Sequence, residues 1–194
     1  MLDTYGRRYF NPLIDYIGDK LLKINLTPNN VTIIALFIGI LTFPLILYKQ
    51  YILGTIVLWI SGLLDAVDGS MARKSNCKSD IGALMDITFD RIVELSVLLG
   101  LAINFSEARL YLLILLASIL ISMTIFLTVA AGASNKGIKS FHYQTGLAER
   151  TEGFIMFSLM MVFNNYINII ACIFSSIIIF TIVQRALEAR KLLK

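Results

Sequence analysis

The chain has 194 residues, of which 57% are hydrophobic and 15% are charged, and its mean hydropathy is +0.78. A chain this apolar is typical of an integral membrane protein and argues against a soluble one, and its length predicts a single domain over residues 1–194. The net charge of +4 does not indicate nucleic-acid binding, because the positions of its basic residues follow membrane topology.

Residues 3–24 form the first predicted element, an amphipathic helix. Apolar residues group on one face of this helix and charged residues on the other. The apolar group is Phe10, Leu13, Ile14, Ile17, Leu21 and Leu22, and the charged group is Arg7, Arg8, Asp15, Asp19, Lys20 and Lys23. This segment is too polar to span a bilayer, so we predict a helix lying on the membrane surface.

A turn at Thr27-Pro28-Asn29 comes next. Proline favours the first position of a helix, so Thr27 or Asn29 is the predicted N-cap of the following segment. The uncharged run from Val31 to Tyr48 is long enough to cross a membrane, and Pro44 is predicted to kink it.

Residues 31–187 are predicted to form an all-α bundle of six transmembrane helices. The uncharged run over residues 153–184 is too long for one span, and the polar stretch 164–168 divides it into helices five and six. Helix five needs residues 147–151 to reach across the bilayer. The other predicted spans are 31–48, 51–73, 81–104 and about 110–133. With six spans, both termini lie on one side.

The distribution of basic residues predicts which side that is. The outer loops carry only Lys49 and Arg109. The segments predicted inside carry Arg7, Arg8, Lys20, Lys23, Arg73, Lys74, Lys78, Lys136, Lys139, Arg150, Arg185, Arg190, Lys191 and Lys194. This positive-inside bias predicts a multi-pass protein of the cell membrane with both termini in the cytoplasm.

Two predicted membrane helices carry acidic stripes. Asp65, Asp68, Gly69 and Ala72 are spaced to share one face of the second span, and Gly82, Asp86 and Asp90 share one face of the third. Ionisable side chains within a bilayer are costly and mark functional sites by default.

The two stripes are predicted to lie at the same depth. Asp65 is about 14 residues from the outer end of its helix at Tyr51, and Asp90 is about 14 residues from Asn104. At about 1.5 Å per residue, both lie roughly 21 Å from the outer surface of a core about 30 Å thick. The stripes therefore predict one acidic site in the cytoplasmic half of the bilayer.

Four carboxylates at one level need compensating positive charge. Oxygen ligands select the hard cations Mg²⁺, Mn²⁺ and Ca²⁺, and carboxylate-bound Mg²⁺ usually also takes substrate phosphate oxygens. The site therefore indicates phosphoryl chemistry. The small residues Gly69, Ala72 and Gly82 leave space beside the acids or allow the two helices to approach each other.

The spacing of these residues resembles a known family signature. The pattern Asp65-x2-Asp68-Gly69-x2-Ala72-Arg73-x8-Gly82-x3-Asp86-x3-Asp90 resembles, in full and in order, that of the CDP-alcohol phosphotransferase family of integral membrane enzymes. The resemblance implies transfer of a phosphatidyl-type group from a CDP-linked lipid to an alcohol, with release of CMP. It also implies membrane lipids as surroundings and a homodimer.

The resemblance also implies residue roles. Two Mg²⁺ or Mn²⁺ ions would be held by Asp65, Asp68, Asp86 and Asp90. Asp90 would be the general base, either in addition to binding metal or with the metal left to the other three acids. The nucleotide would lie against Asp65, Asp68, Gly69, Ala72, Arg73 and Gly82. Asn29 and Thr32 either border this nucleotide site or belong to a simple helix cap.

Basic residues near the cytoplasmic ends of helices four and five are candidates for the acceptor site. Lys136, Lys139 and Arg150 either bind an acceptor phosphate or reflect topology alone. The element Gly146-Leu147-Ala148-Glu149-Arg150 is similar to one in the inositol-phosphate branch of the family. A phosphorylated polyol such as inositol phosphate or glycerol phosphate is therefore expected as acceptor, with serine or another non-phosphorylated alcohol as the alternative. The lipid donor is a diacyl or an ether type.

A divalent-cation transporter is the alternative from a different functional class. Carboxylates within the membrane also line ion pathways. A pathway across the bilayer is expected to place acids in both halves, yet the outer halves of the predicted helices carry no matching acid. The enzyme is the favoured interpretation.

Overall fold

The computed structural model describes residues 2–75, 79–135 and 150–192, and within these ranges it contains α-helices and short 3-10 turns but no β-strand. Four of the described segments are long and apolar enough to cross a membrane: Pro28–Leu47, Tyr51–Lys74, Ser106–Gly132 and Asn164–Arg190. The prediction of an all-α, multi-pass membrane protein is therefore confirmed.

The chain divides into two compact units. Among the described residues, the N-terminal unit comprises residues 4–75 and 79–106, and the C-terminal unit comprises residues 107–135 and 150–192 with residues 2–3. The helices of the N-terminal unit are α1 (Leu2–Lys23), α2 (Pro28–Ile40), α3 (Thr42–Leu47), α4 (Tyr51–Lys74) and α5 (Asp80–Asn104). Those of the C-terminal unit are α6 (Arg109–Asn135), α7 (Arg150–Val162) and α8 (Ile167–Leu192), with 3-10 turns at Ser106–Ala108 and Asn164–Tyr166.

Helix α1 uses its apolar face in two ways. Ile14 is buried in a cluster with Val67 and Met71 of α4, whereas Phe10 and Leu13 on the same predicted face are exposed. Part of the amphipathic pattern is therefore explained by packing against protein. The helix ends at Lys23, and Asn25, two residues later, has a φ of 61°, a left-handed conformation that asparagine tolerates.

The start of α2 and its interruption follow from local sequence. The Thr27 side chain accepts a hydrogen bond from the Asn30 N–H at 3.3 Å, so Thr27 is the N-cap and Pro28 the first helical residue. The helix is interrupted at Leu41, three residues before Pro44. Proline has no N–H and its ring clashes with the carbonyl four residues earlier, which accounts for the break.

Helix α2 packs against both α4 and α5 and brings these helices into one core. A Cβ at Gly39 would lie against Val93 of α5 and 2.7 Å from the Ser61 Oγ of α4. The Ser61 hydroxyl donates to the Ala35 carbonyl at 2.8 Å. Because no side chain larger than hydrogen fits at position 39, glycine sets the distance between these three helices.

In the C-terminal unit, α8 packs against α6 and α7. The rings of Phe157 and Phe174 meet edge to face, with centroids 5.5 Å apart. Arg185 of α8 donates to the Ser122 hydroxyl of α6 at 3.1 Å, and its guanidinium lies 5.3 Å from the centre of the Phe126 ring. Aromatic contacts and one arginine therefore link the helices of this unit.

Candidate active site

The acidic residues of α4 and α5 meet in the N-terminal unit. Asp65, Asp68 and Asp86 each offer a carboxylate oxygen, and these oxygens all lie within 4.8 Å of one another. Asp65 and Asp68 are buried and Asp86 is exposed. Two helices thus bring together three of the four predicted metal ligands, although the residues stand on separate segments of the sequence.

The surroundings of Asp68 suit a cation. Its Oδ2 atom is buried and has no hydrogen-bond partner among the described residues. The Thr32 hydroxyl of α2 lies beside the same carboxylate and donates to the Pro28 carbonyl at 3.1 Å. A buried carboxylate oxygen without a donor is costly. An oxygen-only donor set of three carboxylates therefore fits a hard divalent cation.

Asp90 stands apart from this three-oxygen group. It is one helical turn beyond Asp86 on α5 and lies within electrostatic range of Asp68, Asp86 and Glu94. The neighbouring Arg91 Nη1 is 2.7 Å from Glu94 Oε2. Arg91 and Glu94 therefore neutralise each other beside Asp90.

Gly82 allows the beginning of α5 to approach α2. Ser79 is the N-cap of α5, and its hydroxyl accepts from the Gly82 N–H at 3.0 Å. A Cβ at Gly82 would lie 3.1 Å from Ser79 Oγ and 3.3 Å from Asn29 Oδ1. Asn29, a predicted border of the nucleotide site, is therefore adjacent to Gly82.

Gly69 faces little protein. The atom nearest to an added Cβ would be Nη1 of Arg73, at 3.4 Å, which is ordinary van der Waals contact. Arg73 is exposed and Ala72 half-buried. On α4, Gly69 therefore lies one turn beyond Asp65, and Arg73 lies one turn beyond Gly69.

The predicted acceptor residues are partly outside the described ranges. Lys136 and Lys139 lie outside the described residues. Arg150 is the first residue of α7, and its guanidinium lies 5.5 Å from the centre of the Phe154 ring. The acceptor site therefore stays a prediction.

One polar cluster near the site was not predicted from sequence. The buried Ser70 and the following Lys74 of α4 both contact Asp15 of α1. The sequence pattern places Asp15 on the polar face of α1 and predicts no partner for it. The repeated spacing of Ser70 and Lys74, one turn apart, was the signal available, but it does not identify a helix distant in sequence.

An apolar helical bundle with clustered aspartates on two of its helices defines an integral membrane protein with a candidate cation site. The family profile described as CDP-alcohol phosphatidyltransferase matches residues 25–183. The chain belongs to the CDP-alcohol phosphatidyltransferase family. It is therefore an enzyme that transfers a phosphatidyl-type group from a CDP-linked lipid to an alcohol and releases CMP.

Several curated proteins are similar to this chain over most of its length. An archaetidylinositol phosphate synthase of Pyrococcus horikoshii is 30% identical over 100% of this chain and 99% of its own. A phosphatidylinositol phosphate synthase of Mycobacterium tuberculosis is 32% identical over 80% of this chain and 71% of its own. The inner membrane protein YnjF of Escherichia coli is 30% identical over 84% of this chain and 82% of its own.

Solved structures have a similar fold. The crystal structure of the M. tuberculosis phosphatidylinositol phosphate synthase in complex with manganese and citrate superposes on this chain with a TM-score of 0.72. The two sequences are 25% identical, and the match covers 91% of this chain and 88% of that one. The same enzyme with CDP-DAG bound gives a TM-score of 0.74 at 24% identity, covering 92% of this chain and 94% of that one. At 24% identity, the similarity to the CDP-DAG complex is evidence for a shared fold.

Proposed function

We propose that this enzyme transfers its lipid phosphate group to a phosphorylated polyol, with inositol phosphate as the first candidate and glycerol phosphate as the second. The main observation behind this proposal is the cluster of carboxylates of Asp65, Asp68 and Asp86. In this cluster, the buried Oδ2 atom of Asp68 accepts no hydrogen bond from the described residues. The acceptor is supported by relatives named as synthases of inositol phosphate lipids. The CDP-linked donor carries either diacyl or ether chains.

Asp65, Asp68 and Asp86 would hold divalent cations, Mg²⁺ or Mn²⁺, with two ions expected and Asp90 as a further ligand. When bound, these ions supply Lewis-acid stabilisation of the diphosphate and of the leaving CMP. The manganese complex of a protein with a similar fold supports this choice. The protein contributes a fixed oxygen cluster drawn from two rigid helices.

Asp90 would act as the general base. Asp90 lies one turn beyond Asp86 on α5, within electrostatic range of Asp68 and Asp86. From there its carboxylate would accept the proton of the acceptor hydroxyl. The acceptor oxygen bonds to the lipid-side phosphorus, the bond between that phosphorus and the CMP oxygen breaks, and CMP leaves. The Arg91–Glu94 pair would keep the charge around Asp90 balanced.

The cytidine nucleotide would lie along the face of α4 that bears Gly69 and Ala72, bounded by Gly82 of α5. The open space at Gly69 supports this placement. The exposed guanidinium of Arg73 would bind the diphosphate. Asn29 and Thr32, at the start of α2, would border the same site.

Lys136, Lys139 and Arg150 would bind the phosphate of the acceptor. Their support is the basic charge of this segment and the phosphorylated products in the names of the relatives. An acceptor without phosphate, such as serine, would not need these three cations.

The proposed topology has six spans, with α5 and α7 added to the four apolar segments. Helix α5 has 25 residues, which at about 1.5 Å per residue is enough to cross the bilayer. Residues 1–194 would form one domain, with α1 at the cytoplasmic interface and the exposed Phe10 and Leu13 toward lipid. Both termini and the active site would be cytoplasmic, and the enzyme would be a homodimer.

An acceptor panel tests the proposal. Purified enzyme in detergent receives CDP-diacylglycerol or its ether analogue, Mg²⁺ or Mn²⁺, and one of inositol phosphate, glycerol phosphate, inositol or serine. The proposal expects metal-dependent CMP release with a phosphorylated polyol and none with inositol or serine. Release with serine alone would overturn the acceptor. Uptake of Mn²⁺ into proteoliposomes without any CMP release would favour the transporter.

A further inference from the structure

Ser70 of α4 makes an unusual hydrogen bond for a helical serine. Its side chain is buried, and its hydroxyl donates to Asp15 Oδ1 of α1 at 2.5 Å. Three other buried serines, Ser96, Ser118 and Ser175, donate to the carbonyl four residues earlier in their own helix, whereas Ser61 donates to a main-chain carbonyl of α2. Ser70 instead uses its single donor to join α4 to α1, through a residue 55 positions earlier in the sequence.

Lys74, one turn further along α4, makes a second link to the same residue. Its Nζ lies 3.2 Å from the main-chain oxygen of Asp15 and 3.8 Å from Asp15 Oδ1. The same ammonium is 2.6 Å from Asp19 Oδ1. Asp15 therefore contacts α4 at two successive turns, whereas Asp19 contacts only the second.

Apolar packing lies beside this polar link. Ile14 of α1 is buried with Val67 and Met71 of α4. A Cβ at Gly18 would lie 3.3 Å from Met71 Cγ, so little space remains between the helices there. Water has limited access to the Ser70 hydroxyl, and loss of the Asp15 carboxylate would leave that hydroxyl to compete for the helix backbone.

The linked residues alternate along α4 with residues of the proposed site. Ser70 comes two residues after Asp68, and Lys74 directly follows Arg73. The helix ends at Lys74, so these turns would fray without an external contact. A change in their orientation would move the Asp68 carboxylate and the Arg73 guanidinium together.

We infer that Asp15 is a positioning residue for the active site. Its carboxylate holds the last two turns of α4 through Ser70 and Lys74 and thereby orients Asp68 toward the cation and Arg73 toward the diphosphate. This inference rests on the proposed function, because it assigns metal binding to Asp68 and diphosphate binding to Arg73.

The test compares full-length variants in detergent. Asp15→Ala removes the Ser70 link and the 3.8 Å ion pair with Lys74 but keeps the main-chain oxygen that Lys74 contacts. Ser70→Ala removes the hydroxyl link alone, and Asp15→Asn retains an oxygen that can accept from Ser70. Asp19→Ala is the matched control, because it removes a carboxylate of α1 bound to Lys74 and leaves the Ser70 link. Three quantities are measured: Mn²⁺ affinity from the electron paramagnetic resonance of free Mn²⁺, KM for the CDP-lipid against kcat, and thermal stability.

For Asp15→Ala we expect Mn²⁺ affinity to fall and KM for the CDP-lipid to rise by about threefold to tenfold each. Ser70→Ala should change both quantities in the same direction. A double variant that combines Asp15→Ala with Ser70→Ala should be no worse than Asp15→Ala, because the two side chains act through one contact. Asp15→Asn should recover most of the loss. Asp19→Ala should stay within about twofold of wild type.

Wild-type Mn²⁺ affinity and KM in folded Asp15→Ala and Ser70→Ala proteins would overturn the inference. An equal loss in Asp19→Ala would also overturn it, because that result would indicate general anchoring of α1. If Asp15→Ala does not fold, Ser70→Ala decides. An active wild type with unaffected variants refutes the positioning role alone, whereas a wild type that neither binds Mn²⁺ nor releases CMP refutes the proposed function as well.

Discussion

The N-terminal and C-terminal units satisfy their buried polar groups in different ways. In the N-terminal unit, two buried hydroxyls reach across to other helices, Ser61 to the Ala35 carbonyl and Ser70 to Asp15, while Ser96 and Thr32 donate within their own helix. In the C-terminal unit, Ser175 and Thr181 donate to carbonyls of their own helix. Own-helix bonds do not constrain a neighbouring helix. The unit with the clustered aspartates is therefore also the unit in which polar contacts fix the positions of helices.

The end of the N-terminal unit around Asn104 also has a side-chain hydrogen bond between helices. The Asn104 side chain at the end of α5 donates to the Ile46 carbonyl of α3 at 2.5 Å. A Cβ at Gly100 would lie 3.0 Å from Ile46 Cβ. In the C-terminal unit, the contact of Arg185 with Ser122 is a cross-helix exception. The difference suggests that the acidic site needs its helices held at a defined register.

The largest expected effect is on turnover. Asp90→Asn removes the proposed base and should lower kcat by about 10²-fold to 10⁴-fold, while the isosteric amide leaves folding intact. CMP release and thermal unfolding are measured together. Full activity in this variant would refute the assignment of Asp90 as the base. It would also weaken the argument that catalysis requires the helices of the N-terminal unit to be held in fixed positions.

The next effect separates two acids of one helix. Asp86→Asn removes an oxygen of the carboxylate group and should weaken Mn²⁺ binding by more than tenfold. Asp80→Asn is the matched control, because Asp80 is an exposed acid in the first turn of the same α5. Equal Mn²⁺ affinity in the two variants would mean that α5 contributes only general negative charge.

A smaller effect compares glycines of the two units. Gly39→Ala places a methyl group against Val93 and Ser61, so the free energy of unfolding should fall by about 1–3 kcal/mol. Gly153→Ala places a methyl group 3.8 Å from the Phe174 Cζ, which is an ordinary van der Waals distance. This substitution should leave the free energy of unfolding unchanged or raise it slightly. Thermal or denaturant unfolding in detergent measures both. If the C-terminal variant proved the more damaging, the contrast in packing would be wrong.

The smallest effect concerns the serines themselves. Ser61→Ala deletes a bond between helices and should cost about 0.5–1.5 kcal/mol of stability. Ser175→Ala should cost less, because the Ala171 carbonyl retains its helical backbone donor. Comparable losses from the same unfolding measurement would show that cross-helix and own-helix hydroxyls contribute alike.

Sequence alone predicted the α-helical membrane class and the acidic residues, because periodicity and spacing are local. The apolar run of residues 31–48 and the stripe of Asp65 and Asp68 can each be recognised within one segment. The partner of α1 could not be predicted, since Ile14 is equally suited to lipid and to Met71. The same limit applies to Ser70, whose Asp15 partner depends on how two helices meet.

The separation of Asp90 from the three-oxygen group could not be predicted from the sequence either. Asp86 and Asp90 share one helical face, so spacing alone treats them as equivalent ligands. Their difference depends on how α5 lies relative to α4, and both of these helices pack on α2 around Gly39. Geometry between helices, and not the pattern within one, distinguishes the positions of these two carboxylates.

Anomalous diffraction from Mn²⁺-soaked crystals tests the central claim most directly. The account predicts an anomalous peak bounded by carboxylate oxygens of Asp65, Asp68 and Asp86, which lie within 4.8 Å of one another. It also predicts that this peak disappears in Asp68→Asn crystals grown in the same form. A peak only elsewhere, or none at the three carboxylates in wild-type crystals, would contradict the account.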